Sequence, residues 1–295
     1  MCWQKLISKF WNMILKMDTE RINNTHYPED ITAFCDIPYI DDGDKYHLLD
    51  VYTPTDKKDE KLPLIIDIHG GGYYYGYKEI NKLYNYTLSQ YGFKVVSGNY
   101  RLAPAHTFKD IIQDLYAELD WIVKNADEYK FDLDNVFITG DSAGGTITYL
   151  ILATNARKEL QELFEVTPKV SFKAAAITCG VPNPGKYLRI YMKPLYGKDY
   201  KKSPLFKACN FNNVIPDELP PIFINSCKGD PFHNENIKMY NLIKDKGLTA
   251  ELYYYEEKKE NDVGVGHVYT ILTPDLDVSK KTTEELINFF KIYVD

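Results

Sequence analysis

The feature of this sequence that most constrains its fold is an alternation of short apolar segments with longer amphipathic ones. The apolar segments have the length and composition of buried strands: Tyr46–Tyr52, Leu64–Ile68, Phe93–Ser97, Val136–Thr139, Ala174–Cys179, Ile222–Ser226 and Leu252–Tyr255. Between several of them, and after the last, apolar residues recur at helical spacing, over Phe108–Asn125, Gly145–Glu159, Asn234–Lys246 and Thr282–Tyr293. This alternation predicts an α/β fold with a largely parallel sheet covered by helices on both faces.

Residues 1–20 form a separate amphipathic pattern with two tryptophans on the apolar side and three lysines on the other. We expect a helix whose apolar side packs on the rest of the protein. The alternative is a basic helix that lies on an acidic membrane surface. The small number of lysines and the absence of a lipidation motif favour packing.

Composition and charge exclude several functions. With 35 basic and 42 acidic side chains the chain carries a formal charge of −7, and it has no basic cluster, so nucleic acid is not an expected partner. The five cysteines are widely spaced without a CxxC pair, which predicts a reduced, cytoplasmic setting and no metal site. The longest apolar run near the start, Met13–Leu15, is too short for a membrane span.

The segment Gly140–Gly145, with the sequence Gly-Asp-Ser-Ala-Gly-Gly, connects a predicted strand directly to a predicted helix. This is the context that the G-x-S-x-G pattern requires, because small residues let the chain turn sharply and present the serine hydroxyl. The pattern predicts Ser142 as a nucleophile, with the N-terminus of the following helix directed at developing negative charge.

Three consecutive glycines follow His69 at the end of the strand Leu64–Ile68. Such a run costs backbone entropy, so it suits a place where main-chain N–H groups approach a ligand closely. Acyl transfer needs such donors around the oxyanion of its tetrahedral intermediate. We expect the N–H groups of Gly70, Gly71 and Ala143 to form this oxyanion hole.

Ser142 requires a base and an orienting acid, and both candidates follow predicted strands. His267 lies in a glycine-rich loop after Leu252–Tyr255, and Asp230 comes just after Ile222–Ser226. The order Ser142, Asp230, His267 is the one expected of an α/β-hydrolase. His233 is a weaker candidate base because it lies only three residues from Asp230, and Asp141 is the second candidate acid.

The motifs His69–Gly72, Tyr100–Pro104, Gly140–Gly145 and Gly229–Pro231 together resemble the hormone-sensitive-lipase-like branch of the α/β-hydrolases, which contains bacterial carboxylesterases and acetylesterases. The resemblance covers about residues 45–295. It implies a hydrolase core over residues 46–180 and 217–295. It also implies a helical cap formed by residues 1–45, which include the first strand, and by the irregular insertion 181–216. No cofactor is implied, and a homodimer is left open.

Two other functions remain as alternatives. The segment His69–Tyr73 differs by one residue from the H-G-G-x-W pattern of arylformamidases, which cleave an amide. A ligand-binding protein on a hydrolase scaffold is the other alternative, although such a protein is expected to lose a member of the triad.

The chain has 25 tyrosines, and several lie near the predicted site. Tyr73, Tyr74, Tyr187 and Tyr191 are the predicted substrate contacts, with Tyr75, Tyr196 and Tyr200 nearby. Tyrosine rings would make the cavity half polar. We therefore expect small-molecule substrates that are short-chain acyl esters, with acetylated sugars among them, rather than long-chain lipids.

Overall fold

A computed structural model describes residues 2–183, 192–211 and 215–295, and within the first helix it describes side chains from residue 9 onward. The strands of the main sheet are β1 Ile31–Pro38, β2 Leu48–Pro54, β3 Leu62–Ile68, β4 Lys94–Gly98, β5 Phe131–Asp141, β6 Ala174–Thr178, β7 Ile222–Cys227 and β8 Ala250–Tyr255. A separate small hairpin is formed by β9 Lys259–Glu260 and β10 Val263–Gly264.

The described helices are α1 Cys2–Asn23, α2 Lys82–Gln90, α3 Phe108–Lys124, α4 Ala126–Tyr129, α5 Ala143–Ala156, α6 Lys158–Phe164, α7 Met192–Tyr196, α8 Pro204–Ala208, α9 His233–Asp245, α10 Tyr269–Leu272 and α11 Asp277–Lys291. In this part of the chain, none of the helices combines the length and apolar character needed to cross a bilayer.

The main sheet has the strand order β1-β2-β4-β3-β5-β6-β7-β8. From β4 to β8 every pair is parallel, whereas β1 and β2 pair antiparallel with their neighbours. This arrangement is the α/β-hydrolase fold, so the fold class predicted from the sequence is confirmed. The parallel strands share one carboxyl edge, and the loops that leave this edge carry the motif residues.

Alternation along the strands divides the core between the two faces of the sheet. Leu64 and Ile66 of β3 pack on the side of α3, α5 and α9, while Ile65 packs on the side of α2 and α11. Side chains of successive strand residues point to opposite faces, so a strand that is buried on both sides must be apolar at nearly every position. The central strands therefore read as continuous apolar runs in the sequence.

The edge strand β1 has no such run, because most of its residues are partly or fully exposed. It pairs antiparallel with β2 through a register shift between Phe34 and Ile37. The predicted helix Gly145–Glu159 is two helices in the structure. Helix α5 ends at Ala156, Arg157 adopts an extended conformation, and α6 begins at Lys158. Of the predicted insertion, the structure describes α7 and α8.

Candidate active site

Ser142 occupies the sharp turn between β5 and α5, with φ +52° and ψ −115°. A non-glycine residue at positive φ is strained, and such strain is concentrated at functional sites. The turn also needs glycine at Gly144, where a Cβ atom would lie 2.0 Å from the carbonyl oxygen of Ile68. The strand, the turn and the helix predicted from the Gly140–Gly145 segment are all present.

His267 links Ser142 to Asp230. The Nε2 atom of His267 lies 2.8 Å from the Oγ of Ser142, and its Nδ1 lies 2.9 Å from Oδ1 of Asp230. A carboxylate at Nδ1 favours the tautomer with the proton on that nitrogen, which leaves Nε2 free to accept the serine proton. The three residues come from loops after β5, β7 and β8, and the fold brings them into one hydrogen-bonded chain.

The carboxylate of Asp230 is fixed from both sides. It is buried, its Oδ2 accepts a hydrogen bond from the Ser226 hydroxyl at 2.7 Å, and its Oδ1 accepts one from the Phe232 N–H at 3.0 Å. The second candidate base, His233, contacts the hydroxyl of Tyr254 at 2.9 Å through Nδ1. The structure therefore favours His267 over His233 as the base.

The three glycines after His69 answer three separate steric requirements. A Cβ atom at Gly70 would lie 2.3 Å from Oδ2 of Asp141. Gly71 has φ +111°, and its Cβ would lie 1.9 Å from the carbonyl oxygen of Tyr75. Gly72 has φ +62°, and its Cβ would lie 2.9 Å from the indole ring of Trp11. The sequence indicated a close approach here, but it did not indicate that α1 supplies one of the contacts.

The predicted role of Gly70 as an oxyanion donor is wrong. Its N–H donates to Oδ1 of Asp141 at 2.9 Å, so it is already engaged and is not free to bind an oxyanion. The residues of this loop that line the cavity beside Ser142 and Ala143 are Gly71 and Gly72. The second candidate acid, Asp141, thus binds this loop rather than His267.

Below this loop lie Asp141, Asp67 and Asn81, which are all buried. Burial raises the pKa of Asp141 to about 6, although the Asn81 amide, the charge of His267 and the Gly70 N–H oppose the rise. Burial and the neighbouring Asp141 charge raise the pKa of Asp67 to about 7. The sequence reasoning missed Asp67 and Asn81, and the only local signal was a charged residue inside the apolar run of β3.

His69 is a neutral part of this scaffold. Burial lowers its pKa to about 4, its Nδ1 lies 2.7 Å from the Gly70 carbonyl, and its ring stacks on that of Tyr100 at 4.3 Å. The Tyr100 hydroxyl donates to the His69 carbonyl at 2.7 Å. Tyr100 therefore helps to fix the start of the glycine loop.

A cavity of about 450 Å³ opens beside Ser142 and His267. Its lining is mainly apolar, and α1 supplies Phe10, Trp11, Ile14 and Met17. The remaining apolar lining comes from Tyr75, Ile80, Val181, Phe232, Val268, Ile271 and Leu272. The size is within the range of small-molecule sites.

The tyrosines are placed differently from the sequence expectation. Tyr73 is wholly buried with its ring against Phe108, and neither it nor Tyr74 lines the cavity. Tyr75 is the member of this cluster that does. Tyr187 and Tyr191 lie outside the described residues. The described lining is therefore less polar than predicted, because Tyr73 points into the core.

Helix α1 packs over the cavity. The ring of Trp11 stacks on that of Tyr75 at 5.3 Å, and the Tyr75 hydroxyl donates to Asp18 at 2.9 Å. Arg21 pairs with Asp18 at 2.8 Å and donates to the Ile80 carbonyl at 2.9 Å. These contacts agree with the packing interpretation of this helix.

Within the described residues, the one group of three potential metal ligands is Cys179, Asp230 and His267, whose ligand atoms lie within 4.8 Å of one another. Burial and the adjacent Asp230 charge raise the pKa of the Cys179 thiol well above its usual value. Cysteine binds a metal ion as the thiolate, so a thiol that is held protonated does not favour a metal at this site.

A family model described as BD-FAE matches residues 49–234. Carboxylesterase NlhH of Mycobacterium tuberculosis is 29% identical over 219 residues, which cover 68% of this chain and 66% of NlhH. The chain thus spans slightly less than two thirds of that relative. Esterase LipI of the same species is 26% identical, with 75% of this chain and 72% of LipI covered.

Among solved structures, esterase B from Lactobacillus rhamnosis superposes with a TM-score of 0.91 at 27% identity, covering 98% of this chain and 94% of that chain. A second structure of the same esterase, at 28% identity, shows the enzyme inhibited by a C4-C4 tributyrin phosphonate. The likeness thus extends over nearly the whole of both chains.

Proposed function

This chain belongs to the BD-FAE family, within the hormone-sensitive-lipase-like esterase branch of the α/β-hydrolases, and we propose that it hydrolyses carboxylic esters through Ser142, His267 and Asp230. The observation that carries the proposal is the hydrogen-bonded chain from Ser142 through His267 to the buried Asp230, at 2.8 and 2.9 Å. Similarity to carboxylesterases and to esterase B supports the reaction class.

In the proposed mechanism, His267 removes the proton of Ser142 as the serine oxygen attacks the ester carbonyl. Asp230 keeps the imidazole in the required tautomer and stabilises its cation. The same histidine then protonates the leaving alcohol and activates the water that releases the acid. The covalent intermediate is an acyl ester of Ser142.

The negative charge on the carbonyl oxygen is stabilised by backbone N–H groups. The positions of Gly71, Gly72 and Ala143 around Ser142 support them as these donors. Ala143 is the first residue of α5, so the positive end of that helix dipole faces the same oxygen. Loss of one such donor typically costs about 3 kcal/mol of transition-state stabilisation.

The apolar cavity favours substrates with short or medium acyl chains over acetylated sugars. A sugar would leave several hydroxyl groups against apolar side chains such as Ile14, Val181 and Ile271, which cannot form hydrogen bonds. The polar atoms of the Asp18–Arg21 pair lie at the α1 side of the cavity. Inhibition of esterase B by a tributyrin phosphonate agrees with acyl chains of this size.

The test is the hydrolysis of p-nitrophenyl esters from acetate to palmitate, together with an acetylated sugar and an aryl formamide. We expect the highest kcat/KM between butyrate and octanoate. S142A should lose activity, whereas S171A should not, because Ser171 is an exposed serine before β6. Activity that survives in S142A would refute the mechanism, and a preference for palmitate, the sugar or the formamide would refute the substrate assignment.

A further inference from the structure

Asn81 lies between two buried carboxylates. Its Nδ2 donates to Oδ2 of Asp67 at 3.0 Å and to Oδ1 of Asp141 at 2.9 Å. The same Oδ1 of Asp141 accepts the Gly70 N–H at 2.9 Å. One amide group therefore joins the end of β3, the residue before Ser142 and the glycine loop.

The surroundings of this pair contain little positive charge. In the described part of the chain, neither Asp67 nor Asp141 forms an ion pair with lysine or arginine. The titratable groups that act on them are Tyr84 from α2, Glu118 from α3, Tyr100 after β4 and His267 after the hairpin. His267 is the one of these that can carry positive charge.

Two carboxylates that share one donor in a buried site do not both ionise easily, because each charge disfavours the other. A proton on Asp67 needs an acceptor. The amide of Asn85 lies beside Asp67 and opposes the rise in the pKa of Asp67, and neither its Nδ2 nor its Oδ1 has a hydrogen-bond partner of good geometry among the described residues. Buried polar atoms are rarely left without a partner, so this oxygen is a suitable acceptor for that proton.

We propose that Asp67 and Asn81 are positioning residues for the oxyanion loop, and that the Asp67–Asp141 pair holds one proton, located on Asp67. Asp141 then remains a carboxylate that holds the Gly70 N–H, with Asn81 fixing its orientation. The peptides of Gly71 and Gly72 follow directly from this anchored residue. This inference rests on the proposed function for its effect on catalysis, but the shared proton is independent of it.

Steady-state kinetics on p-nitrophenyl butyrate test the positioning role. N81L removes the donor at similar volume, and we expect kcat to fall at least about tenfold, less than the loss of a whole oxyanion donor, with KM nearly unchanged. N288L is the matched control, because Asn288 is exposed on α11. A loss confined to KM, or a kcat equal to that of the wild type, would overturn the positioning role.

Variants of Asp67 test the proton. An amide is both donor and acceptor, as a protonated carboxyl group is, so D67N should recover most of the kcat that D67L loses. If D67N is as impaired as D67L, the assignment of the proton is wrong. If D67L does not fold, D67N is compared with the wild type: a kcat close to that of the wild type supports the protonated Asp67, and a loss of about tenfold or more contradicts it.

A readout without activity is the melting temperature at pH 5.5 and 8.5. Asp67 is protonated when folded up to about pH 7 but ionised in the unfolded chain above about pH 4, so its contribution to stability falls as pH rises between these values. The decrease in Tm should be smaller in D67N than in the wild type, and equal decreases would contradict a protonated Asp67. An inactive wild type would refute the proposed function and leave this test intact.

Discussion

The Asp141 carboxylate accepts a hydrogen bond from the Gly70 N–H at 2.9 Å, although the two residues are 71 positions apart. Asp141 directly precedes Ser142, and Gly70 begins the loop that faces it. The contact therefore fixes the distance between the proposed nucleophile and the loop that holds two of the proposed oxyanion donors. In this way one side chain couples two motifs that the sequence shows only separately.

Replacement of Asp141 should impair catalysis more than substrate binding. D141A removes the acceptor of the Gly70 N–H, so the loop can shift, and we expect kcat to fall about 10- to 100-fold with a small change in KM. Steady-state kinetics on p-nitrophenyl butyrate measure both constants. D134A is the control, because Asp134 is an exposed aspartate on β5; a similar loss in that variant would mean that the effect is not specific.

The close approach of Trp11 should make glycine essential at position 72 of the oxyanion loop. G72A places a Cβ atom 2.9 Å from the indole ring at a φ of +62°, and we expect lower kcat and lower Tm. G43A is a matched control, since Gly43 has φ +78° and no atom within 4 Å of its Cβ position. The comparison separates steric conflict from backbone strain.

A double variant identifies the source of that conflict. If the ring of Trp11 is responsible, W11A should restore part of the kcat that G72A loses. No rescue would assign the whole effect to the backbone conformation of Gly72.

The wall contributed by α1 should set the accepted chain length. I14W fills part of the cavity, so the longer acyl chain loses several buried methylene contacts. We therefore expect kcat/KM to fall at least about tenfold for octanoate and little for acetate. M13W is the control, because Met13 lies on α1 but is 54% exposed and does not line the cavity. Equal losses for both esters would show that Ile14 does not limit chain length.

Stability should depend on pH through Glu118. Burial, followed by the charge of Asp67, raises its pKa from 4.5 to about 8. A carboxyl group with a raised pKa is protonated in the folded chain and ionised in the unfolded chain, so stability falls as pH rises from about 4.5 to 8. The Tm of E118Q should decrease less than that of the wild type between pH 5 and 9, and an identical decrease would mean that Glu118 is ionised in the folded protein.

The strands and helices near the site were predictable because each depends on a short stretch of sequence. The apolar run before Gly140 and the small residues around Ser142 contain the information for the strand, the turn and the helix. The sequence places the strand β1 only within residues 1–45, because four of its eight residues are exposed and its apolar residues do not alternate regularly. The roles of Gly70 and Tyr73 were also wrong, because each depends on a partner far away in the sequence.

The sequence alone determined the fold class and the sharp turn at Ser142, since strand periodicity and turn chemistry are local properties. Asp230 and His267 stay its prediction for the other members of the triad. Only the tertiary structure decided that Asp141 binds Gly70, that Trp11 packs against Gly72 and that Tyr73 is buried in the core instead of lining the cavity. These outcomes are decided by which buried donor meets which acceptor and by which rings fill the space between elements. Such pairings arise only when segments distant in the chain pack together.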